Sequence, residues 1–237
     1  MSATPGTARS LGERRLYTAG AILAALVAFA GFARTYYLKG SFGSPDLSPI
    51  LHAHGLVMTL WFVLFIAQAR LVAAGRTDIH RKLGMAGVVV AILVVALGSV
   101  IAVDGARGGL SPGLPPLVFL AIPLGMLVVF ATLVGAAIVL RRRSDWHKRL
   151  MLLATLGLIT PAIARLSIHV LGIESPPLFF AATDAIVIAW VAWDTVRNRR
   201  LHPAFLWGTL FFLASQPLRI AIGHTDAWQR FAAWLVG

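Results

Sequence analysis

Seven long apolar stretches recur along this chain, at 17–36, 49–72, 83–103, 117–140, 150–171, 178–193 and 203–222. Each is near the roughly 20 residues that an α-helix needs to cross bilayer hydrocarbon. In hydrocarbon every backbone polar group must be satisfied within its own segment, which selects helices. The expected fold class is therefore all-α: a polytopic membrane bundle of seven transmembrane helices, with 1–237 forming a single unit. Residues 1–16 are expected to be a cytoplasmic tail. The tail-end segment 225–237 repeats Trp228, Phe231, Trp234 and Leu235 at helical spacing, which predicts an interfacial helix on the outer surface.

Composition agrees with a membrane solvent. Only 13% of the residues are charged, against about 25% in soluble domains. The first apolar stretch is long enough to span and no small-residue cleavage motif follows it, so it reads as a retained helix. The chain has no cysteine, which excludes disulfides, iron–sulfur clusters and thiolate zinc sites.

The net charge of +12 is not a nucleic-acid signature, because of where the charges lie. Basic residues group at Arg9–Arg15, Arg70–Lys82, Arg141–Arg149 and Arg197–Arg200, alternating with loops poor in Lys and Arg. This is the positive-inside pattern. It puts the N-terminus in the cytoplasm and the C-terminus outside, as in a multi-pass protein of a bacterial inner membrane, with the lipid bilayer as its partner. Pro123 and Pro161 lie inside spans, where each can kink its helix.

Ionisable groups within spans are costly and usually pair or serve a function. On the outer side stand Arg34, His52, His54, Arg165, His169, Asp184, Arg219 and His224. Arg165 and Asp184 are the deepest, and a buried ion pair between them is the natural expectation. His52 and His54 lie two apart on nearly opposite faces, and His54, followed by Gly55, is the one expected to point inward. Three arginines against one aspartate favour an anionic ligand: phosphate, carboxylate or the propionates of a haem. The candidate cofactor-binding set is thus His54, His169, Arg34, Arg165, Asp184 and Arg219.

On the cytoplasmic side, His80, His147 and His202 each stand at the start of a span. If their helices converge, they could hold a divalent metal. Asp78 and Asp145, each two residues before a histidine, are expected to cap their helices.

The segments His54-Gly-Leu-Val-Met-Thr-Leu-Trp, Ile79-His80-Arg81-Lys82-Leu83-Gly84 and His147-Lys148-Arg149-Leu150-Met151 resemble a bacterial family of predicted membrane proteins of unknown function. That family carries His-Arg-x-Leu-Gly and His-x-x-Met motifs. More distantly, the chain is similar to transmembrane b-type cytochromes. That likeness implies haem b held by pairs such as His54 with His169 and His80 with His147, or a single outer haem on His54 with arginines at its propionates.

Three functions follow from these residues. The first is redox work on a bound haem b or metal. The second is a non-catalytic binding protein or carrier for an anionic amphiphile. The third is a zinc-dependent membrane hydrolase built on three histidines and an aspartate. No lysine lies mid-span, which excludes a retinal Schiff base.

Overall fold

A computed structural model describes residues 5–110 and 112–237, with side chains from residue 16 onward. Among the described residues there is no strand. The helices are α1 (Pro5–Phe32), α2 (Pro49–Ala73), α3 (Thr77–Arg107), α4 (Pro116–Val139), α5 (Ser144–Gly157), α6 (Thr160–Leu166), α7 (Pro176–Asn198), α8 (Pro203–Gly223) and α9 (Asp226–Val236). Among the described residues seven spans are long and apolar enough to cross a membrane, the first being Leu16–Tyr37 and the fifth Ser144–Leu171. The protein is a polytopic, integral membrane helical bundle.

Helix boundaries differ from the apolar stretches in instructive ways. The first helix begins at Pro5, inside the segment assigned to the tail, whose residues 1–4 lie outside the described residues. The helix of the third span, α3, starts at Thr77, and that of the sixth span, α7, runs on to Asn198. Hydrophobicity marks where hydrocarbon ends, whereas a helix continues until its backbone is turned, here by Gly75 (φ 75°) and Arg199 (φ 54°). Proline opens α2, α4, α7 and α8 within the first turn, where its missing N–H costs nothing.

The two prolines inside spans behave differently. Helix α4 passes through Pro123 unbroken. The fifth span breaks before Pro161, with α5 ending at Gly157 and α6 starting at Thr160. Proline cannot donate to the carbonyl four residues back, so Gly157 loses its partner. The Thr160 hydroxyl takes that place, donating to the Gly157 oxygen at 3.0 Å. Thr183 Oγ1 lies 3.1 Å from Thr160 Oγ1, tying α7 to the break.

The fifth span is the centre of the bundle: 61% of its most apolar 18-residue stretch is buried, against 17% for the corresponding stretches of α2 and α3. It packs on α1, α4, α7 and α8. Phe130, Phe205 and Phe212 are fully buried against Leu152, Leu153, Leu156 and Ile159. Because lipid tails are as apolar as leucine, such packing holds a membrane bundle by close fit. Gly31 sets a close helix–helix approach: a Cβ there would overlap the Ala162 backbone. Leu26, Met85, Val139 and Leu218 are exposed on the outward face, as lipid-facing side chains are.

The bundle has two distinct ends. The turns near 75, 142 and 200 form the basic end; the loops near 43, 112, 174 and 224 form the opposite end. At the latter, α9 lies across the bundle, its Trp228 indole donating to the Leu117 carbonyl at 2.7 Å. Arg107 donates to the carbonyl of Val236 at 2.7 Å. Trp234 (76% exposed) and Phe231 remain outside, giving α9 an unburied apolar edge.

Candidate functional site

The Gly31–Ala162 contact fixes the geometry at the opposite end. One turn beyond it on α1's continuation stands Arg34, and one turn beyond it on α6 stands Arg165. Both spans leave the helical repeat here for a π-helical turn, Ala33–Tyr37 and Ser167–Leu171. Such turns are frequent at functional sites. Arg165 stacks on Phe32, 4.2 Å from guanidinium to ring centroid, and donates to the Pro161 carbonyl at 3.2 Å. Arg34 lies 5.7 Å from the Phe42 ring centroid. His169 follows Arg165 by four residues, one turn along the same span.

His54 is half-buried, while His52 is exposed beside Tyr36. Tyr36 lies so close over Gly55 that any Cβ there would meet its ring, and Tyr37 shares a 2.8 Å hydrogen bond with Thr59. The first π-helical turn is thereby pinned to α2 next to His54. His54 Nδ1 and Thr35 Oγ1 are buried with no hydrogen-bond partner. Among the described residues neither Arg34 nor Arg165 meets a carboxylate. Asp46, on the neighbouring loop, is engaged by Lys39 at 2.5 Å, whose hydrogen bond and charge hold its carboxyl below the usual carboxylate range.

The expected Arg165–Asp184 pair does not form. Thr160 faces Thr183, and Arg165 follows Thr160 by five residues, so helical phase turns it away from α7 and toward α1. Asp184 instead accepts from Gln216 Nε2 at 2.6 Å. Arg219 is buried and serves neutral acceptors: the Ser215 carbonyl at 3.1 Å, the Ser215 hydroxyl at 2.9 Å and the Ile122 carbonyl at 3.4 Å. Its stem fills the space left by Gly125, and its guanidinium lies 5.3 Å from the Phe180 ring centroid. The six expected cofactor-binding residues therefore divide. His54, His169, Arg34 and Arg165 gather around α1, α2 and the fifth span; Asp184 and Arg219 sit between α4, α7 and α8.

A buried ion pair lies at the basic end, where sequence reasoning did not place one. Arg149 donates to Asp194 through Nε (3.0 Å to Oδ2) and Nη2 (3.1 Å to Oδ1, 2.8 Å to Oδ2). Asp194 is fully buried and also receives the Tyr17 hydroxyl at 3.3 Å. The available signal was Asp194 inside a helix that continues past it, which the apolar pattern had ended at 193.

The three histidines of that end do not form one site. His80 and His147 meet, with ring centroids 6.2 Å apart. His202 packs on Trp146 and caps α8, its Nδ1 accepting from the Ala204 amide at 3.1 Å. Burial, with the charge of Arg149 added, holds the His202 imidazole below its ordinary 6.5. Among the described residues no group of three or more His, Asp or Glu is placed to hold a metal ion. His80, His147 and His202 are thus not gathered in one place there. Nor do Asp78 and Asp145 cap: each lies within its helix's first turn with no capping hydrogen bond, facing Arg76 at 3.6 Å and Lys148 at 2.9 Å.

No protein-family model matches the chain, and no curated protein or solved structure matches it.

Proposed function

We propose that this protein binds an anionic amphiphile by its carboxylate or phosphate head, at the end of the bundle opposite the basic loops, as a binding protein or carrier in a bacterial inner membrane. One observation carries the reading. Arg165 and Arg34 stand one turn beyond the Gly31–Ala162 contact on adjacent helices, at the same end as His54 and His169, and among the described residues neither meets a carboxylate. Arg165 stands six residues before the end of its span, about 9 Å inward at 1.5 Å per residue. An uncompensated guanidinium at that depth is costly, and an anion arriving from the leaflet removes the cost. Guanidinium groups suit carboxylate and phosphate because their planar donors match two oxygens at once. Val170 and Leu171, on the same turn as His169, are exposed apolar side chains that the ligand's tail can meet.

The unpartnered Nδ1 of His54 favours a second reading, haem b with its iron on His54 and its propionates at the arginines, used in electron transfer. When bound, such a group would supply a one-electron couple. His169 is exposed on the last turn of its span and is poorly placed as an opposing ligand at membrane depth.

Calorimetric titration of tag-free protein in non-ionic detergent tests the proposal, with oleate and oleyl alcohol as ligands differing only in charge. Oleate should bind and oleyl alcohol should not compete. Arg165→Gln should weaken oleate at least tenfold, since charge-assisted hydrogen bonds are worth about 1.5–3 kcal/mol. Equal competition by the alcohol, or unchanged affinity in the Arg34→Gln/Arg165→Gln variant, overturns the anion site. A Soret band that shifts on reduction replaces the amphiphile with haem.

A further inference from the structure

At the basic end, away from the anion cluster, three helices bring another set of polar atoms together: Gln68 on α2, His80 on α3 and His147 on α5. The two imidazoles meet edge to face at 6.2 Å. The Gln68 amide nitrogen is 3.8 Å from where a Cβ on Gly84 would stand, one turn along α3 from His80.

The hydrogen-bond inventory of these groups is incomplete in one direction. His147 Nδ1 is 2.8 Å from the Ala137 carbonyl oxygen. A carbonyl only accepts, so Nδ1 carries the proton and Nε2 of the neutral ring keeps its lone pair. This backbone-anchored tautomer is the one seen in metal-ligating histidines. His80 Nδ1 and Gln68 Oε1 are buried with no partner, and an amide oxygen can only accept. What satisfies such atoms is an electron-poor occupant.

We propose that His80, His147 and the Gln68 side-chain oxygen form an exchangeable binding site for a late divalent transition metal of the zinc class. At 6.2 Å the rings stand near the in-line limit, and a tetrahedral ion would draw them together by about 1 Å. With metal–nitrogen bonds of about 2.0–2.1 Å, two imidazoles on one ion have centroids roughly 5 Å apart at a tetrahedral angle and roughly 6.4 Å apart in line. Two nitrogens and one neutral oxygen leave at least one position for water, so the ion exchanges instead of being sealed in. The surroundings also set the selectivity. Arg81 adjoins His80 and Lys148 adjoins His147, so an ion held by charge alone gains little. Imidazole affinity then favours zinc, cobalt, nickel or copper over magnesium or calcium.

The test is titration of tag-free, chelator-dialysed protein in nanodiscs with Co2+, followed by its visible ligand-field bands and by displacement with Zn2+. One equivalent per chain is expected, with no competition from Mg2+. His80→Gln and His147→Gln should each weaken Co2+ at least about tenfold, while His202→Gln and His52→Gln should not. Because a variant can fail to fold, the native chain is also treated with diethyl pyrocarbonate and its modified histidines are mapped by mass spectrometry. Zn2+ should protect His80 and His147 but not His52 or His224. Absence of Co2+ bands, unchanged affinity in both variants, or no zinc protection overturns the site and leaves the pair bridged by water.

Discussion

Arg149 grips Asp194 with two of its nitrogens, the closest contact being 2.8 Å, and both side chains are buried at the same end of the bundle as the basic loops. Removing one partner strands the other charge, which typically costs about 3–5 kcal/mol, whereas replacing both by apolar groups of similar volume is often neutral. Arg149→Met and Asp194→Leu should each lower the melting temperature in detergent sharply, and the double variant should recover most of the loss. A double variant as unstable as the worse single one would show that the pair is not the unit described.

Gly31 lets α1 close on Ala162 one turn before Arg34 and Arg165. Gly31→Val must push α1 from Ala162, an overpacking cost of about 1–3 kcal/mol, and should weaken oleate by separating Arg34 from Arg165. Gly135→Val is the control, because nothing lies within 4 Å of a Cβ there. Differential scanning fluorimetry and titration read both effects.

His202 makes stability pH-dependent. Its imidazole is held below 6.5 in the fold, so at acid pH the unfolded chain binds the proton more readily than the folded one. Stability contributed by the neutral ring is full above the unfolded value and falls as pH drops below about 6.5. The direction agrees with the cap, since Nδ1 accepts from Ala204 only when unprotonated. His202→Asn keeps a capping oxygen and should flatten the decline in melting temperature between about pH 7 and about pH 5. An unchanged slope would remove His202 as its source.

Thr160 covers the carbonyl that Pro161 leaves without a donor. Thr160→Val should cost about 1–3 kcal/mol by orphaning a buried acceptor, while Thr160→Ser should cost less. Denaturation in mixed micelles distinguishes the two.

Much of the fold is legible in the sequence because one physical requirement, satisfying backbone groups in hydrocarbon, dominates it. Seven apolar stretches became seven spans, and Trp228, Phe231 and Trp234 fell on one short helix. Side-chain partners were less legible. Arg165 and Asp184 stand at similar depths with opposite signs, yet five residues of helical phase from Thr160 turn Arg165 toward Phe32. Depth can be counted along a chain, but azimuth depends on which faces pack, and Gly31 and the break at Gly157 set that. Arg149 looked like one of many loop cations until α7 proved to continue past Asp194. His202 shared its position with His80 and His147, but as the cap of α8 its ring was already engaged.

The central claim is that the Arg34–Arg165 cluster holds an anionic head group. Native mass spectrometry of the protein released from nanodiscs containing equal phosphatidylglycerol and phosphatidylcholine tests it most directly. The account predicts that the native chain keeps phosphatidylglycerol in preference to phosphatidylcholine, and that the Arg34→Gln/Arg165→Gln variant loses this preference. Equal retention of the two lipids by the native chain, or an unchanged preference in the variant, would contradict it.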